Sequence, residues 1–438
     1  MIIRGKLPGT ESLIDVLVEN GKIIQVSSVQ KRSSCDRDVP RKPRLVSGVK
    51  GHDMKGNYVC SHSARHCVPG KLFDKLRAVS SVERPRPVAG ELHFGGTDLY
   101  ACSGFFDPQV NGFAGVDFNS PHLTPEELHH AVLSLASTGV TRFLPTLVTS
   151  SHERMVCQLR ILAEALRKDP LFQEMCLGIH LEGPYISPEE GPRGVHLREF
   201  VRLPRWEELE RFEEACEGRI KCVTLAPELD GAIPFIEKAV THGIVIGIGH
   251  TQATEKDVEQ AVQAGARFSC HLGNAPSALF PRYRNLIEKQ LVTDQLMASI
   301  IVDGIHLSPG VVKNYVWAKG VNRIVLTTDS MAGAEAPLGR YTLGDLEVEV
   351  GSDRAARSAN TCRLAGSTLT MDRAITNVIR FAGIDLASAI RMAAKNGQKL
   401  FPEVRGEIIS GAPADLVLFE YQRSLAVRST WIGGEKIF

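Results

Sequence analysis

No run of about 18 apolar residues occurs in this chain, so no segment reads as a bilayer-spanning helix. An excess of one charge sign is also missing: 51 lysines and arginines face 50 aspartates and glutamates, a formal net charge of +1. That balance argues against nucleic acid or an anionic membrane as a bulk partner, yet a small anion needs only a local cluster of donors. Met1 leads through Ile2, Ile3 and Arg4 into polar residues, with no basic region ahead of an apolar stretch, so no secretory signal is read. The ten cysteines follow no framework spacing, and reduced thiols in a cytoplasmic protein are the expectation.

What is present is the composition of an ordinary globular protein, 43% hydrophobic and 23% charged over 438 residues. That length accommodates a barrel of roughly 250 residues and a satellite domain. Residues 1–27 read as short strands, with Asn20-Gly21 as a hairpin signal between Leu13–Val18 and Lys22–Val26. Asp415–Phe419 and Val427–Ile432 are β-rich and suited to pair with them, giving a small β-sandwich from residues 1–27 and 399–438. Residues 28–98 are crowded with Lys, Arg, Ser, Pro and Gly and read as an irregular insertion. Cys60, His62, His66 and Cys67 within it have zinc-ligand chemistry, but a chance cluster in a solvated loop is the better reading.

From about residue 101 strands alternate with amphipathic helices. Thr124-Pro125-Glu126-Glu127 opens one helix with a capping box and a proline at its first position. Leu128, Ala131, Val132 and Leu135 then share a face, and Gly139 ends it. A second helix starts at Thr254. Eight strand candidates lie between such helices: Gly104–Asn111, Val140–Val148, Met175–Glu182, Ile220–Leu225, Ile244–His250, Arg267–Leu272, Ser299–Val302 and Arg323–Asp329. The expected fold is therefore α/β, a (β/α)8 barrel over residues 99–398, with a doubly wound open sheet as its competitor.

Polar residues gather at the strand ends, where a barrel places its chemistry. Asp107, Gln109 and Asn111 close the first strand, Glu182 the third, His250 the fifth, His271 the sixth and Asp329 the eighth, with Asp303 and His306 after the seventh. Glu182, His250 and His271 make a carboxylate and two-imidazole ligand set that leaves a position open for water, as hydrolytic metal sites require. Asp329 is then the candidate general base and acid. His180, two positions before Glu182 and on the same face, reads either as a core residue or as a support for the ligands.

The chain resembles the N-acetylglucosamine-6-phosphate deacetylase family of the amidohydrolase superfamily. The resemblance rests on Gly104-Phe-Phe-Asp-Pro-Gln-Val-Asn-Gly112, Gly178-Ile-His-Leu-Glu-Gly-Pro-Tyr185, Gly249-His250, His271-Leu-Gly-Asn-Ala275, Asp303-Gly-Ile-His306, Thr328-Asp329 and Leu364-Ala-Gly-Ser-Thr-Leu-Thr-Met371. The stretch from Gly406 to Val417 is a broader amidohydrolase signature. The resemblance implies metal-dependent deacetylation of N-acetylglucosamine 6-phosphate to glucosamine 6-phosphate and acetate. It implies Glu182, His250 and His271 as metal ligands and Asp329 as the catalytic acid and base. It also implies His196 and His306 against the sugar and its acetamide, and Asn274 with the Ala275 backbone against the phosphate. Arg282 would reach the phosphate in the other subunit of a homodimer. Gln109-Val110-Asn111 stands where many amidohydrolases carry His-x-His, so one divalent ion per subunit (zinc, iron, manganese or cobalt) is expected. Gly273-Asn274-Ala275-Pro276 and Tyr283-Arg284-Asn285 depart from the family's usual runs at the phosphate end. Two other readings stay open: a related amidohydrolase with another amide or cyclic-amide substrate, and a non-catalytic barrel.

Overall fold

The computed structural model describes residues 1–29, 93–275, 279, 281 and 283–438. Four strands lead in: β1 (Ile2–Lys6), β2 (Leu13–Glu19), β3 (Lys22–Val29) and β4 (His93–Ser103). β5 (Phe105–Val110) follows at once and begins the barrel. The short pair β6 (Gly112–Phe113) and β7 (Val116–Asp117) comes next. The remaining barrel strands are β8 (Val140–Val148), β9 (Ile179–Glu182), β10 (Ile220–Leu225), β11 (Val245–Ile248), β12 (Phe268–Ser269), β13 (Met297–Ile301) and β14 (Ile324–Thr327). After the barrel come β15 (Gly339–Leu343), β16 (Leu346–Val350) and β17 (Ala356–Ser358), then β18 (Leu416–Tyr421), β19 (Leu425–Ile432) and β20 (Glu435–Lys436).

Eight strands pair in parallel in the order β5-β8-β9-β10-β11-β12-β13-β14. The ring closes where Val110 bridges Ser330 and the Asn111 N–H donates to the Ser330 carbonyl at 2.8 Å. Strands buried on both faces explain the near-continuous apolar runs, since helices cover the outside while side chains fill the inside. Phe106, Leu144, Cys222, Phe268, Cys270, Met297 and Val325 pack together there with Phe401, whose ring lies 5.4 Å from that of Phe106. Outside, helix Pro125–Ser137 forms as its sequence dictates: Thr124 and Glu127 complete the capping box, and Leu128, Ala131, Val132 and Leu135 are buried.

Both ends of the chain build one seven-stranded sheet, in the order β20-β19-β18-β4-β1-β2-β3. β4 passes directly into β5 through Gly104, where a Cβ would lie 2.0 Å from the Thr141 hydroxyl. Only glycine permits that approach, and it joins sheet to barrel without a loop.

Two expectations need correction. The stretch 28–98 is not irregular at its ends: β3 continues to Val29 and β4 starts at His93, because β2 and β1 supply pairing partners. Met175 does not begin the third barrel strand; it ends helix Pro170–Met175, nucleated by Pro170 and by Asp169, whose carboxylate accepts from the Leu171 and Phe172 N–H groups. Burial of Phe172 and Met175 in that helix outweighs their strand preference. Cys60, His62, His66 and Cys67 lie outside the described residues.

Candidate active site

Glu182 ends β9, and His250, His271 and Asp329 follow β11, β12 and β14 within two residues. The last three leave their strands in left-handed backbone, with φ of 50°, 27° and 50°. Residues with a Cβ rarely adopt that conformation, and it persists only where the surroundings over-determine it. Here they do. The His250 carbonyl accepts from the Ser187 N–H at 2.9 Å, the His271 N–H donates to the Ser299 hydroxyl at 2.7 Å, and the Asp329 carbonyl accepts from the Ser367 N–H at 2.8 Å. Through Ser367 the Leu364–Met371 stretch therefore positions Asp329.

One carboxylate oxygen collects the centre. Glu182 Oε1 lies 3.1 Å from His250 Nε2 and 2.6 Å from His271 Nε2. The three ligand atoms fall within 4.8 Å of one another, and all three residues are buried. Burial opposes ionisation of Glu182, but hydrogen bonds and charge from His250 and His271 outweigh it and hold the carboxyl well below its usual range. The Nδ1–H of His250 donates to the Pro192 carbonyl at 2.9 Å. A carbonyl only accepts, so Nδ1 carries the hydrogen and Nε2 is the ring atom presented to the centre, where a bound cation would take its lone pair. Lone pairs of two imidazoles and an anionic oxygen at one buried point fit a divalent cation, with the fixed tautomer typical of metal-bound histidine.

Asp329 stands beside this centre. Its Oδ1 accepts from the amides of Gln109 and Asn111, each at 2.8 Å. Burial first, and the Glu182 charge second, push its carboxyl up to about 7. The Gln109 amide also donates to Glu182 Oε1 at 2.8 Å, so its NH2 group fills the space between the two carboxylates. His196 packs its ring 4.5 Å from that of His250, and burial followed by the His250 charge lowers it to about 3, leaving it neutral. Gly194 lets the backbone run along His250: its φ is +63°, and a Cβ there would meet the ring at 3.3 Å.

A cavity open to solvent lies at this point; Asn111, Glu182, His196, His250, Asn274, Ala275 and Asp329 all lie on its wall. His306 is not on that wall. Its buried ring bonds Asp303 at 2.6 Å through Nδ1, and its charge acts on Asp329. Arg282 lies outside the described residues. His180 is a core residue, bonded through Nε2 to the Thr224 hydroxyl at 2.7 Å and through Nδ1 to the Pro108 carbonyl at 3.1 Å.

Sequence reasoning missed the apolar side of the cavity, formed by Val148, Leu343, Leu346 and Leu364, and Asp345 beside it. Leu343–Leu346 is the tip of the β15–β16 hairpin. A signal for it exists: Gly344-Asp345 between alternating runs is a two-residue hairpin turn. The Arg154 guanidinium pairs with Asp345 at 2.5 Å, the Ser150 hydroxyl donates to Asp345 at 2.7 Å, and the Gly344 N–H donates to Asp117 at 2.9 Å, so the tip is tied to the barrel mouth.

The sequence profile of the amidohydrolase family matches residues 100–437. The chain belongs to the amidohydrolase family. This amidohydrolase is 33% identical over 392 residues to N-acetylglucosamine-6-phosphate deacetylase of Bos taurus, spanning 84% of this chain and 88% of the relative. It is 31% identical over 338 residues to N-acetylgalactosamine-6-phosphate deacetylase of Escherichia coli O157:H7, spanning 76% and 86%. Among solved structures it resembles the N-acetyl-D-glucosamine-6-phosphate deacetylase from Mycobacterium smegmatis, with a TM-score of 0.78 at 26% identity over 100% of this chain and 100% of the other.

Proposed function

We propose that this amidohydrolase removes the acetyl group from N-acetylglucosamine 6-phosphate, giving glucosamine 6-phosphate and acetate. The observation that carries the reading is the Glu182–His250–His271 centre, which reaches the wall of one cavity through Glu182 and His250 with Asp329 beside them. A divalent cation held by those three residues would supply a Lewis acid that activates water and polarises the acetyl carbonyl. Zinc, iron, manganese and cobalt all suit this donor set. One ion per chain is expected, because the amide hydrogens of Gln109 occupy the space between Glu182 and Asp329.

The side chains divide the remaining work. Asp329 accepts a proton from the attacking water and passes it to the amide nitrogen as the C–N bond breaks; a carboxyl near neutrality suits both transfers. Neutral His196 donates to the acetyl oxygen and counters the charge that builds there. His306, held by Asp303, acts from behind the wall through its charge on Asp329. The Asn274 amide and the Ala275 N–H bind the phosphate, and Arg282 of a second subunit in a homodimer adds a bidentate cation. Leu343, Leu346 and Leu364 exclude water from the opposite side. An intact three-residue centre with Asp329 beside it favours catalysis over a purely binding barrel. The reaction belongs in the cytoplasm, where phosphorylated sugars are made and used.

The test is acetate release from N-acetylglucosamine 6-phosphate, from its unphosphorylated form and from the 4-epimer, N-acetylgalactosamine 6-phosphate. The expected result is a kcat/KM at least about 100-fold higher for the phosphorylated than the unphosphorylated sugar, the scale of two charge-assisted hydrogen bonds. Equal rates for both would remove the phosphate from the account, and preference for the 4-epimer would change the sugar.

A further inference from the structure

Asn111 has a role beyond holding Asp329. Its backbone is clamped on both sides: the N–H donates to the Ser330 carbonyl at 2.8 Å and the carbonyl accepts from the Phe118 N–H at 3.0 Å. Its side-chain Nδ2 donates to Asp329 Oδ1 at 2.8 Å. That contact fixes the amide's orientation: Asp329 Oδ1 already accepts from Gln109, whose own amide is fixed by Glu182 and Cys270, so this oxygen carries no hydrogen to give and Asn111 must present its NH2. The carbonyl oxygen Oδ1 must then point the other way. It is buried, it has no hydrogen-bond partner among the described residues, and Asn111 lies on the cavity wall beside Asp329. A buried acceptor of this kind favours any ligand that brings it a donor from the cavity side. The other side-chain amide in this corner is fully engaged: Gln109 bonds both carboxylates through Nε2 and receives the Cys270 thiol on its oxygen at 3.1 Å.

We propose that Asn111 Oδ1 accepts the N–H of the substrate's acetamide and aims its nitrogen at Asp329. The inference rests on the deacetylase reading and adds a catalytic residue to it. A secondary acetamide carries a single N–H, attached to the atom that must be protonated. Held by Asn111, that N–H sets the rotation of the nitrogen. As water adds to the carbonyl carbon, the nitrogen becomes pyramidal and its lone pair turns towards Asp329, whose Oδ2 receives no donor among the described residues. The new C–O bond forms, the proton taken from water by Asp329 moves to nitrogen, and the C–N electron pair leaves with the amine. The amine departs with its original hydrogen and the new one. Asn111 neither gains nor loses a proton.

An ester separates this role from the mere support of Asp329. The 2-O-acetyl analogue of the same sugar phosphate presents the same carbonyl and phosphate but no N–H. Metal-loaded wild type and Asn111→Ala are compared on both compounds, with metal content and circular dichroism confirming equal loading and fold; Asn111→Ser replaces the alanine variant if that does not fold. The expected result is a loss of about 10- to 100-fold in kcat/KM on the amide, the scale of one buried hydrogen bond, with the ester changed by less than about 3-fold. If the wild type does not cleave the ester, its inhibition constant is read instead: it stays within about 2-fold in the variant while amide turnover falls. Equal losses on amide and ester, or no loss on either, overturn the inference. Absence of acetate release from the wild type overturns the deacetylase reading itself and is seen before any variant is made.

Discussion

The seam that closes the barrel carries two buried aspartates, and the contrast between them separates a strut from a reactive group. Asp107 on β5 and Asp329 after β14 are both lifted by burial, the first to about 6 and the second to about 7. Proton affinity alone does not tell them apart. Their lone pairs do. Asp107 accepts from the Thr327 hydroxyl, the Thr328 N–H, the Thr328 hydroxyl and the Gln109 N–H, so both of its oxygens are engaged and the first strand is fastened to the last. Asp329 lies on the cavity wall and takes its two side-chain donors on one oxygen, leaving the other without a donor among the described residues. A functional carboxylate is recognised by what its environment leaves open, beyond how far its pKa is moved.

The sharpest way to break the comparison is to neutralise each aspartate in turn. Asp329→Asn keeps the shape and removes the proton carrier: kcat should fall by about 10³-fold, within the range of general acid–base catalysis, while the melting temperature moves little. Loss of Glu182 comes next. Glu182→Gln takes away the charge that binds the two histidines; metal content should drop by at least about 10-fold at fixed free metal, with activity falling in proportion, and a chelator should do the same to the wild type. Asp107→Ala should reverse the pattern. It strands the Thr328 N–H and two hydroxyls in the core and should cost about 3 kcal/mol in denaturant unfolding, with kcat of the folded, metal-loaded fraction lowered by less than about 10-fold. A loss of activity without a loss of stability in that variant would dissolve the distinction.

The smallest effect lies in pH. The folded Asp107 carboxyl sits above its ordinary value, so the native state binds this proton more tightly than the unfolded chain does. The stabilising contribution is full below the ordinary carboxylate pKa and is lost as pH rises through about 6. Asn at position 107 does not titrate. The stability of the metal-free wild type relative to Asp107→Asn should therefore decline from about pH 4 to about pH 7; a difference that rises would mean that the carboxyl ionises more easily in the native state.

The barrel is legible in the sequence because its strands, buried on both faces, leave continuous apolar runs, and because Glu182, His250, His271 and Asp329 each sit at the end of one. The third strand reads as starting too early because Met175 is as apolar as a strand residue, and only Asp169-Pro170 upstream says helix. The strand–strand pairing at Val29 and His93 is invisible because β4 contains Gly95-Gly96-Thr97-Asp98, a poor strand by propensity, across which its register with β1 shifts between Arg4–Gly95 and Lys6–Tyr100. Leu343, Asp345 and Leu346 escape notice because they reach the cavity from a hairpin inserted after the last barrel strand, a placement made by long-range packing. The dual hydrogen bond of Gln109 is of the same kind: the residue is readable as a missing ligand, but its place between two carboxylates belongs to the folded barrel.

Acetate release measured during stepwise metal addition to the metal-free protein tests the central claim most directly. With N-acetylglucosamine 6-phosphate as substrate, release should climb with added metal to one equivalent per chain, stay level beyond it, and be absent in Asp329→Asn at every loading. No release at any loading, or activity that continues to climb to two equivalents, would contradict the account.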